Sequence, residues 1–69
     1  MTSVSGRALA RLVERRGWIL LRINGSHHIY GNPGSAVRLS IPVQGNAPLK
    51  TGLLRHLMKL ADVSDNELS

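Results

Sequence analysis

The fold of this chain depends mainly on one stretch, "WILLRINGSHHIY", residues 18 to 30. Residues 18 to 23 form an apolar run that is rich in β-forming residues, and we expect them to be a largely buried strand. Asn24-Gly25 is typical of a β-hairpin turn, so residues 27 to 30 are predicted to return as a second strand. Two adjacent histidines therefore lie where the hairpin turns back, although a turn alone does not require them.

The segments on either side of the hairpin predict two helices and a third strand. A helix is predicted over residues 5 to 16, with Ser5 as its N-cap and Gly17 as its left-handed stop. Residues 37 to 41 alternate strictly between apolar and polar side chains, which is typical of a strand with one wet side. From Thr51 the apolar pattern becomes helical again. A stripe along this second helix is formed by Leu54, Leu57, Met58 and Ala61, widened by Leu53 and Leu60.

The order helix, three strands, helix predicts an α+β fold. The simplest packing is a three-stranded antiparallel sheet with both helices on one face. We expect one domain over residues 1–69, because so short a chain cannot build two cores. Ser64 followed by Glu67 predicts a capping box that begins a last turn. The predicted core consists of Leu9, Leu12, Val13, Leu39, Leu54, Leu57 and Met58.

The composition narrows the classes of function. The net charge of +5 favours phosphate backbones, acidic proteins or anionic lipid as partners. No apolar run approaches the ~20 residues of a membrane helix, and no basic amphipathic membrane helix is evident. We therefore expect nucleic acid or an acidic protein as partner, and no membrane. The chain has no cysteine, which excludes disulfides, and no signal-peptide pattern, so we expect a cytoplasmic protein.

The adjacent histidines support more than one interpretation. In a strand, His27 and Ile29 point to one face and His28 and Tyr30 to the other, and the sequence leaves open which face is covered. Both histidines could simply fill half-buried positions near the turn. Alternatively, one is a general acid or base, which takes a proton from a ribose 2′-hydroxyl or gives one to a leaving oxygen. The third histidine, His56, and the four carboxylates show no recognised metal-ligand spacing, so we predict no metal and no cofactor.

Several residues are candidates for contacting RNA. Lys50 adjoins a predicted helix N-terminus, where free N–H groups favour a phosphate. Arg22 and Arg38 are candidate phosphate clamps if their strand faces are open, and Tyr30 could stack a base. We expect the Lys50 amine within roughly 10 Å of His27, the span of one bound phosphodiester. Each of these charges could equally be an ordinary solvated side chain.

Two segments resemble a known family of toxins. They are "GSHHIY", residues 25 to 30, and "LSIPVQGNAPLKTGLLRHLMKLADVS", residues 39 to 64. Together they resemble HicA, the small toxin of HicA–HicB toxin–antitoxin pairs, over about residues 4 to 68. The resemblance implies a fold like that of double-stranded-RNA-binding domains. It also implies an mRNA interferase, an endoribonuclease that cleaves mRNA with the histidine of the Gly-Ser-His step, which is His27. A HicB-like antitoxin is expected to bind the toxin and cover that residue.

This chain departs from the family pattern at three places. Many members have a histidine where this chain has Gln44, which puts a second acid–base role in doubt because an amide cannot exchange protons. Before the last helix, Thr51 replaces a common proline or lysine and is expected to cap the helix well. Near the end, Asp62 replaces a common glycine, which affects only the helix stop.

The leading hypothesis is a metal-independent ribonuclease toxin. His27 is the predicted general acid or base, with His28 as the fallback, and the turn orients the site. Rival hypotheses are a catalytically inactive RNA-binding module of the same fold and a pure interaction protein that pairs with an antitoxin. The candidate RNA-binding residues are Ser26, Lys50, Arg22, Arg38 and Tyr30.

Overall fold

The computed structural model of the chain describes residues 3 to 68, except for the side chains at positions 65 and 68. It confirms the predicted α-β-β-β-α order. The sheet is antiparallel throughout, with its three strands in the order β1-β2-β3. The elements are α1 (Gly6–Arg15), β1 (Ile19–Asn24), β2 (His27–Gly31), β3 (Arg38–Pro42), α2 (Thr51–Ala61) and a 3₁₀ helix (Asp65–Leu68).

The helix ends follow from a few local residues. The Ser5 hydroxyl accepts a backbone N–H of the first turn of α1 at 3.1 Å, and Gly17 follows the helix with a φ of +98°. The expectation that Thr51 caps α2 is wrong, because Lys50 occupies the N-cap without a side-chain hydrogen bond and Thr51 is already helical. Asp62 ends α2 in the left-handed region, with a φ of 57°, where glycine is commonly favoured.

The hairpin between β1 and β2 confirms the predicted turn, but its loop begins one residue later than predicted. Asn24 pairs with His27, so the loop consists of Gly25 and Ser26. Only Gly25 has a positive φ, +63°, which is typical of a type II′ turn rather than the type I′ turn that an Asn-Gly loop forms. The hairpin therefore closes immediately before His27.

The helix-covered face of the sheet is set by the register of β2 and β3. Tyr30 pairs with Leu39 and His28 pairs with Ile41, and side chains directly opposite each other share a face. Leu39 and Ile41 are fully buried in one core with residues of both helices, which confirms that the helices cover one face. The buried apolar residues are Val4, Leu9, Ala10, Leu12, Val13, Trp18, Tyr30, Leu39, Ile41, Leu57, Met58, Ala61 and Val63.

The core differs from the prediction along α2. Leu57, Met58 and Ala61 are buried as expected, whereas Leu54 packs against the core only half-buried. Leu53 and Leu60, which were predicted to widen the stripe, are exposed. The apolar stripe of α2 is therefore narrower than its leucine content indicates.

The largest disagreement between sequence and structure concerns β1. All six of its residues are exposed, so the prediction of a largely buried strand is wrong. β1 is an edge strand, and both helices contact the sheet chiefly at β3. The register of β1 against β2 skips Leu21, which forms a bulge between Leu20 and Arg22. Apolar content alone cannot distinguish a strand that helices cover from one that they leave uncovered.

Candidate functional site

The two adjacent histidines lie on opposite faces of the sheet. His28 pairs with the buried Ile41, so it lies on the helix-covered face and is half-buried. His27 pairs with Pro42 on the other face, which no helix covers in the described part of the chain, and its side chain is exposed. This open face is therefore the one that presents a histidine to solvent. The register thus decides between the orientations that the sequence left open.

Two arginines share the open face with His27. Arg22 pairs with Ile29, two residues along β2 from His27, and Arg38 pairs with Gly31, two residues further on. Both side chains are exposed. Among the side chains that the structure describes, neither arginine forms an ion pair with a carboxylate. The open face therefore combines one imidazole with two cations that can bind an anion.

The hairpin turn is tied to the loop that follows β3. The Ser26 carbonyl oxygen accepts a hydrogen bond from the Val43 N–H at 2.7 Å. The Gln44 Nε2 donates to the Ser26 hydroxyl oxygen at 3.4 Å. Gln44 therefore lies beside the residue that precedes His27. It can orient the turn but cannot transfer a proton.

Lys50 lies at a different point from the two arginines. It is exposed and occupies the N-cap of α2, where N–H groups of the first turn lack helical partners. The expected short distance between the Lys50 amine and His27 stays a prediction. Lys50 thus remains a candidate cation of the site.

The structure contradicts the base-stacking role of Tyr30. Its side chain is 1% exposed, and its hydroxyl donates to Glu14 Oε2 at 2.5 Å. Burial raises the pKa of the Tyr30 hydroxyl above its usual value, and the hydrogen bond and negative charge of Glu14 raise it further. Tyr30 is a core residue that connects β2 to α1, so its ring is not available to a base.

A groove that was not anticipated from the sequence lies on the helix-covered side of the sheet. It has a volume of about 530 Å³, and its lining includes Arg7, Arg11 and Glu14 of α1 together with Leu20 and His28 of the sheet. The spacing of Arg7 and Arg11, one helical turn apart, indicates that the two arginines share a helix face but does not predict a groove. In the described part of the chain, no three histidine or carboxylate side chains cluster as they would around a metal ion.

Fold and site together define a small basic α+β domain of α-β-β-β-α order, with an exposed histidine on the open face of its sheet. A family model described as "HicA toxin of bacterial toxin-antitoxin" matches residues 6–63 of the 69-residue chain. The chain belongs to the HicA toxin family, and its resemblance to that family is thereby confirmed. A comparison with curated proteins finds no match. None of the helices within residues 3 to 68 has the length and apolar character to cross a membrane.

Membership of this family gives the chain the role of the toxin in a toxin–antitoxin pair. A pairing partner, the antitoxin, is part of that role.

Proposed function

We propose that the chain is a metal-independent endoribonuclease that cleaves mRNA in the cytoplasm, with His27 as general acid or base. The observation that carries the proposal is the placement of His27, exposed on the open face together with two arginines that have no described carboxylate partner. An RNA backbone laid on this face brings its phosphates to the arginines and its ribose hydroxyls to the imidazole. Such a face can attract and position RNA before any bond is broken.

The proposed reaction requires two proton transfers. A base takes the proton of a ribose 2′-hydroxyl, and its oxygen forms a bond to the adjacent phosphorus. The bond between that phosphorus and the 5′-oxygen then breaks, and an acid gives the leaving oxygen its proton. His27 performs one of these transfers. The Gln44 amide beside the turn cannot perform the other, so the second transfer requires water or another side chain.

The negative charge that builds on the phosphoryl oxygens during this reaction needs cations. Arg22 and Arg38, which lie on the open face, are the proposed cations, with Lys50 at the start of α2 as a further contributor. Fixed cations stabilise the transition state because they need not reorganise as the charge develops. The Ser26 amide and hydroxyl belong to the turn that orients His27.

A HicB-like antitoxin is the proposed pairing partner, and its function would be to cover His27. The net charge of +5 suits an acidic partner as well as RNA. A specific observation keeps a second function in consideration. Gln44 stands where many family members have a histidine, and an enzyme that lost this histidine could retain RNA binding without cleavage.

The deciding experiment is His27→Ala, assayed for growth arrest and for RNA cleavage by the purified protein. Removing a general acid or base lowers the rate on the order of 100- to 10,000-fold, so activity should fall to near background. The fold should survive, because the side chain is exposed and surface changes cost about 0.5 kcal/mol or less. His28→Ala on the covered face and His56→Ala on α2 are the matched controls.

Each outcome assigns the activity differently. If His28→Ala is inactive and His27→Ala is active, the general acid or base is His28. If all three histidine variants cleave RNA while well folded, the histidine mechanism is wrong. RNA binding that weakens with salt but produces no cleavage in the unmodified protein would support the inactive module. In either RNA-binding case, Lys50→Ala should weaken binding to all sequences about equally, because phosphate contacts carry no base information.

A further inference from the structure

The outer edge of β1 is an unusual surface for a small protein. Ile19, Leu21 and Ile23 are 53%, 52% and 57% exposed, and Leu20 is 39% exposed. Within the described residues no strand pairs with this edge, because β1 bonds only to β2. Edge strands usually carry charges, prolines or short lengths that prevent pairing with other chains. This six-residue strand has one charged residue, Arg22, and one bulge, so it is poorly protected against an added strand.

The apolar residues of β1 lie on both faces of the sheet. Ile19 and Leu21 line a groove of about 340 Å³ on the open face, together with Arg38. Leu20 lines the larger groove on the helix-covered face with Arg7 and Arg11, and Ile23 shares this face because it pairs with His28. A globular surface that docked on one face would leave the other set exposed. A strand added to the edge would cover both sets.

The charges around this edge indicate the occupant. Arginines border both grooves, and among the described side chains none of Arg7, Arg11, Arg22 and Arg38 forms an ion pair with a carboxylate. Glu14, the acidic residue that lines the helix-side groove, is already hydrogen-bonded by the Tyr30 hydroxyl. A second copy of the chain would bring another +5 of charge to the same place. RNA would bring phosphates but neither apolar side chains nor a peptide backbone.

We propose that the β1 edge receives an extended, acidic segment of the antitoxin, which pairs with β1 as a fourth strand of the sheet. The inference rests on the proposed pairing with an antitoxin and specifies how that partner binds. Backbone hydrogen bonds along β1 supply affinity, and alternate side chains of the added strand enter the two grooves. Its apolar residues contact Ile19, Leu20, Leu21 and Ile23, and its carboxylates reach the bordering arginines.

The test compares one substitution on each face of β1. Ile19→Thr removes apolar surface from the open face and Ile23→Thr removes it from the helix-covered face, while threonine keeps the β-branched shape that suits a strand. Leu53→Gln and Leu60→Gln are the matched controls, because these α2 leucines are 37% and 38% exposed and lie away from β1. The affinity of each purified variant is measured by calorimetry against a purified HicB-like antitoxin.

We expect both β1 variants to weaken antitoxin binding about tenfold or more, equivalent to about 1.4 kcal/mol, and both α2 variants to bind within about twofold of the unmodified chain. RNA cleavage and the thermal unfolding temperature should change little in all four variants. Hydrogen exchange of the complex supplies the readout specific to strand pairing. Alternate amides of residues 19–24 should become protected when the antitoxin binds.

Other outcomes would overturn the proposal in distinguishable ways. Sensitivity at Ile19 alone, without protection of β1 amides, would mean that the antitoxin docks on the open face. Insensitivity at both positions would place the antitoxin elsewhere. A chain that sedimentation shows to be a dimer, and that becomes a monomer in Ile23→Thr, would make a second copy the occupant. If the unmodified chain does not bind the HicB-like protein, the proposed pairing fails as well, whereas loss of RNA cleavage in His27→Ala would still support the enzyme.

Discussion

The two outer strands of the sheet, β1 and β3, both carry leucine and isoleucine but lie in opposite environments. In β3, Leu39 and Ile41 are fully buried and alternate with exposed polar residues. In β1, the apolar residues point to both faces and every residue is exposed. Both strands pair with β2, so pairing alone does not account for the difference. Burial of an apolar strand therefore depends on what lies across from it.

The residues opposite the two strands explain the contrast. β3 faces the apolar stripes of both helices, with Leu9 and Val13 on α1 and Leu57 on α2 in the same core. Leu20 of β1 instead shares its groove with Arg7, Arg11 and Glu14 of α1. The same helix thus presents apolar side chains toward β3 and charges toward β1, and so leaves β1 uncovered.

The largest expected difference in stability is between two isoleucine variants, one in β3 and one in β1. Ile41→Ala in β3 should destabilise the fold by about 2–5 kcal/mol, because the side chain is completely buried and its removal leaves a cavity. Ile23→Ala in β1 should cost about 0.5 kcal/mol or less, because that side chain is 57% exposed. Urea denaturation of the two variants measures both values. Equal losses would show that β1 is as buried in solution as β3.

A smaller difference in stability is expected between variants of two glycines that lie against these strands. A Cβ on Gly6 of α1 would overlap the backbone carbonyl of Pro42 at the end of β3, so Gly6→Ala should cost about 1–3 kcal/mol. A Cβ on Gly31 would meet the flexible end of Leu21 of β1 at 2.8 Å. Since Leu21 can swing into solvent, Gly31→Ala should change stability by about 0.5 kcal/mol at most.

The same denaturation assay compares the glycine variants. A Gly31→Ala loss as large as that of Gly6→Ala would mean that the β1 side of the sheet is as rigid as the β3 side. A negligible loss in Gly6→Ala would mean that α1 can shift away from the end of β3.

The smallest expected effect concerns Tyr30, which lies in β2 between Leu20 of β1 and Leu39 of β3. Tyr30→Phe removes the hydrogen bond to Glu14 and should cost about 1 kcal/mol. The variant also changes the pH dependence. The folded state raises the pKa of Tyr30, whereas the unfolded tyrosine ionises near pH 10. The contribution of Tyr30 to the free energy of unfolding should therefore be fully present below about pH 10 and fall as the pH rises further.

Unfolding free energies at about pH 9 and pH 11 check this effect, since these values lie on either side of the ordinary tyrosine pKa. The unmodified chain should lose more stability between them than the Tyr30→Phe variant. Parallel losses in the two proteins would mean that Tyr30 is not as buried as its place beside β3 indicates. The boundary of the buried region would then lie closer to β3.

The elements of this fold could be predicted because their determinants are local. The Ser5 cap, the Gly17 stop, the alternation of β3 and the glycine of the hairpin each act within a few residues, and each is found in the structure. The helix-cap role of Thr51 was wrong by one residue, because a sequence pattern locates a helix end only to within one or two residues.

The identity of the candidate site also came from the sequence, through the Gly-Ser-His step and the resemblance that it carries. Its geometry came only from the tertiary structure. The β2–β3 register determined that His27 faces the open side, and long-range packing buried Tyr30 and placed Gln44 against Ser26. Register and burial depend on contacts between residues far apart in the chain. Sequence periodicity determines which residues share a face, but only packing determines whether that face is covered.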